Sequence, residues 1–375
     1  MNYSTVYVGM DVHKDSYTLC AYTIDTDKGS YIRKTSANYR EILKYLEFLR
    51  TVYGYDTKFI CGYEAGCLGY SLYHNLTKCN VNCVILAPTT MLEQKSRRRI
   101  KTDKRDAELI ARCLAQHNYS SVHIPTTTDN KIKEYLRMRS DHKLALKRVK
   151  QQINSFCLRH DCHYERKYWT QLHRKWLKSL DLKDTFRETL DEYLLTLTYL
   201  EDKITRIDNR ISEFASMDEY KESVKKLCCF IGIKELTALS IIVEVGDFNR
   251  FSSAEKFASY LGLVPGEHSS GENQVYLSIT KAGNSYVRTL LTEASQNFNR
   301  GRLGEKSRVL RIRQKGNTPQ VIAYADRGNE RLRSRYFHFV LGKNKKPNIA
   351  KTAVARELAC FIWGMMSNHM DRVIR

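Results

Sequence analysis

TVYVGMD, residues 5–11, is a run of β-formers that ends in an acid, and it reads as a strand. Working outward, Ser16–Ile24 and Tyr31–Thr35 continue as strands, separated by the turn-prone stretch Asp25–Ser30. Ala37–Thr51 changes period: Ile42, Leu43, Leu46 and Leu49 recur at helical spacing. Lys58–Tyr63 is a fourth strand with Glu64 at its end, Gly69–Leu76 reads as helix, and Val81–Leu86 is a short apolar fifth strand before Pro88. A basic helical stretch then carries Asp103 and Asp106. Three strands in a row form a meander, and the later strands need helical crossovers. The order predicts a mixed five-stranded sheet with flanking helices.

From Lys131 to about Lys226 there is no proline and no glycine, and the pattern is almost all helix. Leu194, Leu197, Leu200, Ile204, Ile207 and Ile211 form a heptad-like stripe, read either as a helical hairpin or as a dimer seam. After Leu227 the glycines at 232, 246, 262, 266, 271 and 283 punctuate short elements. Ile231-Gly232-Ile233 before Leu236–Val245 fits a DNA-reading helix-hairpin-helix turn or an ordinary helical hairpin. Arg302–Lys351 holds 14 basic residues against 3 acids, with aromatics between that could stack on unpaired bases, and Lys351–Met366 reads as an amphipathic helix. The expected class is α/β plus all-α. Three parts follow: 1–130 around the sheet, 131–226 helical, and 227–375 mainly helical with the basic tail.

Lysine and arginine number 62 against 41 aspartates and glutamates, a formal charge of +21. Such a surplus points to nucleic acid, because basic side chains release counterions from phosphates. The 11 cysteines show no paired zinc spacing, and Met1–Asp11 does not read as a leader peptide. No apolar run approaches the roughly 20 residues of a membrane helix. A reduced, cytoplasmic protein is expected. His160, Cys162 and His163 lie close together, but not at the spacing of a zinc finger.

Four acids stand out in the sheet region. Asp11 ends the first strand, Glu64 ends the fourth, and Asp103 and Asp106 are three apart on one side of a helix. Taken singly, each has an ordinary role as a turn cap, loop acid or surface charge beside Arg97, Arg98, Arg99, Lys101, Lys104 and Arg105. With strands one and four as neighbours they can converge. Converging carboxylates repel unless cations lie between them, and two Mg²⁺ ions with phosphate oxygens suit that gap. Paired metals promote in-line attack at phosphorus.

Gly-Met-Asp-Val-His-Lys at 9–14, Gly-Tyr-Glu-Ala-Gly at 62–66 and Lys-Thr-Asp-Lys-Arg-Asp-Ala at 101–107 resemble the DEDD transposases of bacterial insertion sequences, the IS one-ten family. The blocks Tyr260–Gly271, Ile279–Asn284 and Arg288–Ala294 are similar to that family's second domain. The resemblance implies a RuvC-like, RNase H-type first domain with Asp11, Glu64, Asp103 and Asp106 as Mg²⁺ ligands. It implies a serine nucleophile at Ser270 in the second domain, with Ser269 as its neighbour. It further implies a structured bridge RNA that selects donor and target DNA. Relatives assemble as dimers and tetramers, whose composite site joins the acids of one subunit to the serine of another. Three positions depart from the family pattern: Glu272-Asn273 after Gly271, Ser278 where a glycine is common, and Phe230-Ile-Gly-Ile233 for Pro-Gly-Ile-Gly.

Two other functions compete with an RNA-guided recombinase. A RuvC-like Mg²⁺-dependent junction nuclease would use the acids and water alone. A non-enzymatic RNA- or DNA-binding protein would use neither acids nor serine. The charge itself predicts that DNA affinity, measured by fluorescence anisotropy, falls by roughly 10³-fold between 50 and 200 mM salt. A salt-insensitive affinity would contradict the electrostatic reading.

Overall fold

The structure is a computed structural model that describes residues 5–66, 68–91, 102–267 and 276–371. It separates into two compact units, Met1–Ile124 and Pro125–Arg375.

The first unit contains β1 (Thr5–Val12), β2 (Ser16–Thr23), β3 (Lys28–Ser36), α1 (Tyr39–Tyr53), β4 (Lys58–Glu64), α2 (Ser71–Lys78), β5 (Asn82–Leu86) and α3 (Asp103–Ala115). Its sheet has the order β3-β2-β1-β4-β5. The β1–β2 and β2–β3 pairs are antiparallel, and β1–β4 and β4–β5 are parallel. The meander and crossovers expected from the sequence are both present. Two boundaries moved for local reasons. Gly69 has a φ of +65°, outside the helical region, so α2 begins at Ser71. The turn before β3 is shorter than expected, because Asp27 takes a φ of +45° and closes it early.

Strand β1 is central, and its alternation sorts the core into two layers. Val6, Val8 and Met10 join Ile42, Leu46 and Leu49 of α1 and Leu72 and Leu76 of α2. Tyr7 joins Ile110, Ala111 and Leu114 of α3 on the other face. Gly9 shares that second face, and there α3 comes closest. A Cβ at Gly9 would lie 2.0 Å from the Ala107 carbonyl oxygen and 2.4 Å from the Ala111 nitrogen. Gly62, paired with Gly9 across β1 and β4, would place a Cβ 2.9 Å from Leu114. Both glycines act as floor for the helix.

The second unit opens with α4 (Thr127–Arg159), α5 (Gln171–Ser179) and α6 (Asp184–Ala215). Leu146, Val149, Ile153 and Phe156 of α4 meet Leu190, Leu197, Leu200 and Ile204 of α6. Nearer the start of α4, Ile132 and Leu136 share a core with Ile207 and Ile211. The two long helices are therefore antiparallel. From Leu197 to Ile211 the apolar stripe is buried inside the chain, as a helical hairpin requires, and Leu194 is half-buried at its start.

There follow α7 (Asp218–Leu227), α8 (Glu235–Val245), α9 (Ala254–Tyr260), β6 (Pro265–Glu267), β7 (Tyr276–Ile279), α10 (Ser285–Ser295), α11 (Arg308–Gln314), α12 (Pro319–Phe337) and α13 (Pro347–Met366). Gly232 turns the chain between α7 and α8 with a φ of +82°, and a Cβ there would meet the Ala294 carbonyl oxygen at 2.3 Å. The final helix is less amphipathic than its sequence suggests: Val354, Leu358, Phe361, Ile362, Trp363 and Met365 are all buried. In the basic stretch, Tyr324 and Tyr336 are core residues, so these two rings do not stack on bases. Cys228 and Cys229 are buried, and no disulfide joins the described cysteines to one another. His160 packs at a tilt against Phe156 and Phe186, with ring centroids 4.5 and 4.3 Å away, an apolar setting. No described helix is long and apolar enough to cross a membrane.

Gly9→Ala is expected to destabilise the protein by about 1–3 kcal/mol in denaturant unfolding, the usual cost of overpacking. Gly66→Ala is the control, because its Cβ would meet nothing closer than 4.0 Å. Equal stability of the two variants would show that α3 does not need the bare strand.

Candidate metal centre

The parallel pair β1–β4 runs in register through Met10 and Tyr63, so Asp11 and Glu64 occupy the next matched positions. Each lies two residues beyond a glycine that faces α3, and alternation puts both acids on the α3 face. They sit where parallel strands end, the usual place for ligands in open α/β sheets. Glu64 is exposed and Asp11 is half-buried.

Helix α3 delivers the other two acids. Thr102 caps it, its hydroxyl accepting from the Arg105 N–H at 3.4 Å, and Asp103 and Asp106 occupy the first turn. That turn favours negative charge, because unpaired N–H groups and the helix dipole point toward it. The glycine floor brings the helix onto β1, and so sets Asp103 beside Asp11. One ligand atom each from Asp11, His13 and Asp103 all lie within 4.8 Å of one another. Glu64 and Asp106 are not in that close group. Glu64 is next to Asp11 by strand register, and Asp106 is half-buried in the same helical turn as Asp103.

Two further residues belong to this geometry. His13 Nδ1 lies 3.4 Å from Asp11 Oδ2. It stands two residues after Asp11 in the Gly-Met-Asp-Val-His-Lys string, and that spacing was its only signal. Lys34 of β3 donates to Asp103 Oδ2 at 2.9 Å. This hydrogen bond and the lysine's charge hold the Asp103 carboxyl below the usual carboxylate range, with a smaller contribution from His13. The group therefore already attracts cationic charge. Two carboxylates with an imidazole suit a divalent ion, oxygen donors fitting hard cations and the nitrogen fitting transition metals. The basic run Arg97, Arg98, Arg99 and Lys101 lies outside the described residues.

In the second unit, β6 and β7 pair antiparallel, Pro265 with Ile279 and Glu267 with Tyr276. Ser269 and Ser270 lie between these strands and outside the described residues. The pairing continues past the strands, the Thr280 N–H donating to the Val264 carbonyl at 2.9 Å and the Lys281 N–H to that of Gly262 at 3.1 Å. Asn284 caps α10 and donates to Glu244 of α8 at 3.1 Å. Glu244 is buried and also meets Arg137 at 3.1 Å and Lys133 at 3.6 Å, both on α4. A buried carboxylate needs such partners.

The chain is similar to known transposases. A family model described as "Transposase IS116/IS110/IS902 family" matches residues 224–309, and a DEDD transposase model of the same group matches residues 8–160. The transposase for insertion sequence element IS1533 of Leptospira borgpetersenii is 35% identical over 247 residues, 65% of this chain and 70% of the relative. The putative transposase y4qE of Sinorhizobium fredii is 31% identical over 305 residues, 81% of this chain and 74% of the relative.

The chain belongs to the IS110 family of transposases.

A pilin gene-inverting protein of Moraxella lacunata is also similar, at 25% identity over 72% of this chain and 74% of its own length. The transposase is thus an enzyme that cuts and rejoins DNA, with a RuvC-like first domain and a DEDD site that implies a divalent metal.

Lys34→Met should return the Asp103 carboxyl to the ordinary range in a ¹³C NMR titration. Because the folded pKa is depressed, the pair's contribution to stability is present above the unfolded value and fades as pH falls through the folded one. The pair is exposed, so that contribution is small. An unchanged titration would show that another group holds the carboxylate.

Proposed function

We propose that this transposase is a bridge-RNA-guided recombinase in which Ser270 attacks DNA and Asp11, Glu64, Asp103 and Asp106 hold Mg²⁺. The approach of Asp11 to Asp103 carries the metal half of the reading. It joins acids 92 positions apart in sequence on one side of a sheet whose register also favours Glu64. Asp106 supplies a fourth oxygen from the same turn as Asp103, and His13 supplies a nitrogen donor. When bound, the metal would neutralise charge on the attacked phosphate and its leaving oxygen. Lys34 lowers the Asp103 pKa further and is placed to take a phosphate oxygen once a metal claims that carboxylate.

The family match over 224–309 supports the serine half, since Ser270 falls inside it. The Ser270 Oγ would form a bond to phosphorus as the P–O bond to the leaving sugar breaks. Its proton passes to a base, and the leaving oxygen takes up a proton. The phosphoserine ester preserves a phosphodiester for rejoining, which water-driven cleavage does not. The formal charge of +21 suits an enzyme that holds both DNA and a structured RNA. Homodimers pairing into tetramers would let acids of one subunit act with the serine of another.

Trapping with a nicked DNA substrate and Mg²⁺, followed by peptide mapping, tests this. An adduct on Ser270 is expected, lost in Ser270→Ala and in each of Asp11→Ala, Glu64→Ala, Asp103→Ala and Asp106→Ala, while RNA binding persists. Ser269→Ala retains the adduct. An adduct on Ser269 or on a tyrosine would overturn the serine assignment, and free hydrolysed ends would favour a junction nuclease.

A further inference from the structure

A short groove of about 320 Å³ runs along one face of α4. Lys143, Lys147, Lys150 and Asn154 follow at spacings of four, three and four residues, so they line a single helical face. Gln151 adds a second amide, and Trp169, in the loop before α5, completes the lining.

Trp169 is held in an unusual backbone state. Its φ is +63°, in the left-handed region that bulky side chains avoid. Its N–H donates to His173 Nδ1 at 3.1 Å, and the two rings meet edge-on with centroids 5.1 Å apart. His173 is fully buried and contacts the rings of Tyr164, Tyr168 and Trp176. Lys150 Nζ lies 5.1 Å from the centroid of the Trp169 ring and is anchored by Glu201 at 3.1 Å. Strain of this kind persists only where the surroundings over-determine it, and it gathers at functional sites. Packing alone does not require it, since Trp169 is only half-buried at the edge of the hairpin core.

Glu201 pairs with Lys150 beside the ring, and basic side chains otherwise predominate there. Among the described residues, neither Lys143 nor Lys147 pairs with an acid, and Arg166 and Lys167 just before Trp169 are exposed. An indole beside a ladder of lysines, with two amides in reach, matches an unpaired nucleotide. The base stacks on the ring, the phosphates follow the lysines, and the amides meet base edges. A base inside a duplex is already stacked and cannot reach the ring.

We propose that this groove binds an unpaired nucleotide of a single strand, its base on Trp169 and its phosphates on Lys143 and Lys147. The site rests on the family's traffic in nucleic acid and is independent of Ser270 and of the metal centre. RNA and DNA single strands offer the same chemistry, and the test separates them.

Full-length protein is titrated with fluorescent oligouridylate, oligothymidylate and a blunt duplex of equal length. The double variant Lys143→Ala/Lys147→Ala is expected to weaken single-strand binding about tenfold or more and to reduce its log–log salt slope by about 1.4. Duplex affinity changes much less. Trp169→Ala gives a similar loss on single strands, and Trp169→Phe recovers part of it, with unchanged thermal unfolding as the control for both. Probes carrying 5-iodouracil should photocrosslink wild-type protein at Trp169, which keeps the test independent of how the tryptophan variants fold. Crosslinking by oligouridylate alone assigns the groove to RNA, and crosslinking by both strands assigns a site that ignores the sugar. Unchanged single-strand affinity in the lysine variant, an equal loss on duplex, or crosslinks that avoid Trp169 would each overturn the proposal.

Discussion

The contact on which the first unit depends is the seating of α3 against the bare backbone of Gly9. At 2.0 Å from a would-be Cβ, the Ala107 carbonyl leaves no room for any side chain. The small residues Ala107 and Ala111 answer the glycine from the helix side, and both are fully buried. Seated this way, the helix covers one face of the sheet and directs its first turn toward the ends of β1 and β4. Asp103 reaches Asp11 because of a glycine two residues upstream of that aspartate. The spacing Gly-x-acid occurs in both parallel strands, at Gly9–Asp11 and Gly62–Glu64, and a two-residue period explains it: the position that admits the helix and the position that bears the acid share one face.

Electrostatics gives the acidic group its character within a strongly basic chain. Lys34 and His13 set positive or ionisable groups against Asp103 and Asp11, where bare carboxylates at close range would repel. The first turn of α3 adds the favourable end of the helix dipole. In the second unit a different solution appears. Glu244 is almost wholly removed from water, and Lys133, Arg137 and Asn284 satisfy it, tying α4 and α8 to the start of α10. The first acidic group reaches solvent through Asp103, whereas Glu244 is closed off and structural.

Much of the fold was legible in the sequence because the signals were local. Continuous β-formers in Thr5–Asp11 reflect a central strand buried on both faces. The stripe from Leu197 to Ile211 marks the seam of the long hairpin. Asp11, Glu64, Asp103 and Asp106 could be named from strand ends and helical spacing, and His13 stood within a quoted string without being singled out. Lys34 could not be found that way, since its contact with Asp103 spans 69 positions and leaves no periodic trace. Trp169 was equally silent, because its left-handed backbone is carried by a tryptophan rather than by a glycine or asparagine that the sequence would flag. The burial of α13 was underestimated because helices on several sides enclose it, a tertiary property that its own pattern shows only as high apolar content.

The central claim is that the seating of α3 builds a divalent-metal site from Asp11 and Asp103. The most direct measurement is the anomalous diffraction of crystals of the full chain grown with Mn²⁺. The account predicts one or two strong peaks ligated by Asp11 and Asp103 oxygens, with the Lys34 ammonium displaced from Asp103. Peaks confined to other residues, or an intact Lys34–Asp103 bond at saturating Mn²⁺ with no ion beside it, would contradict it.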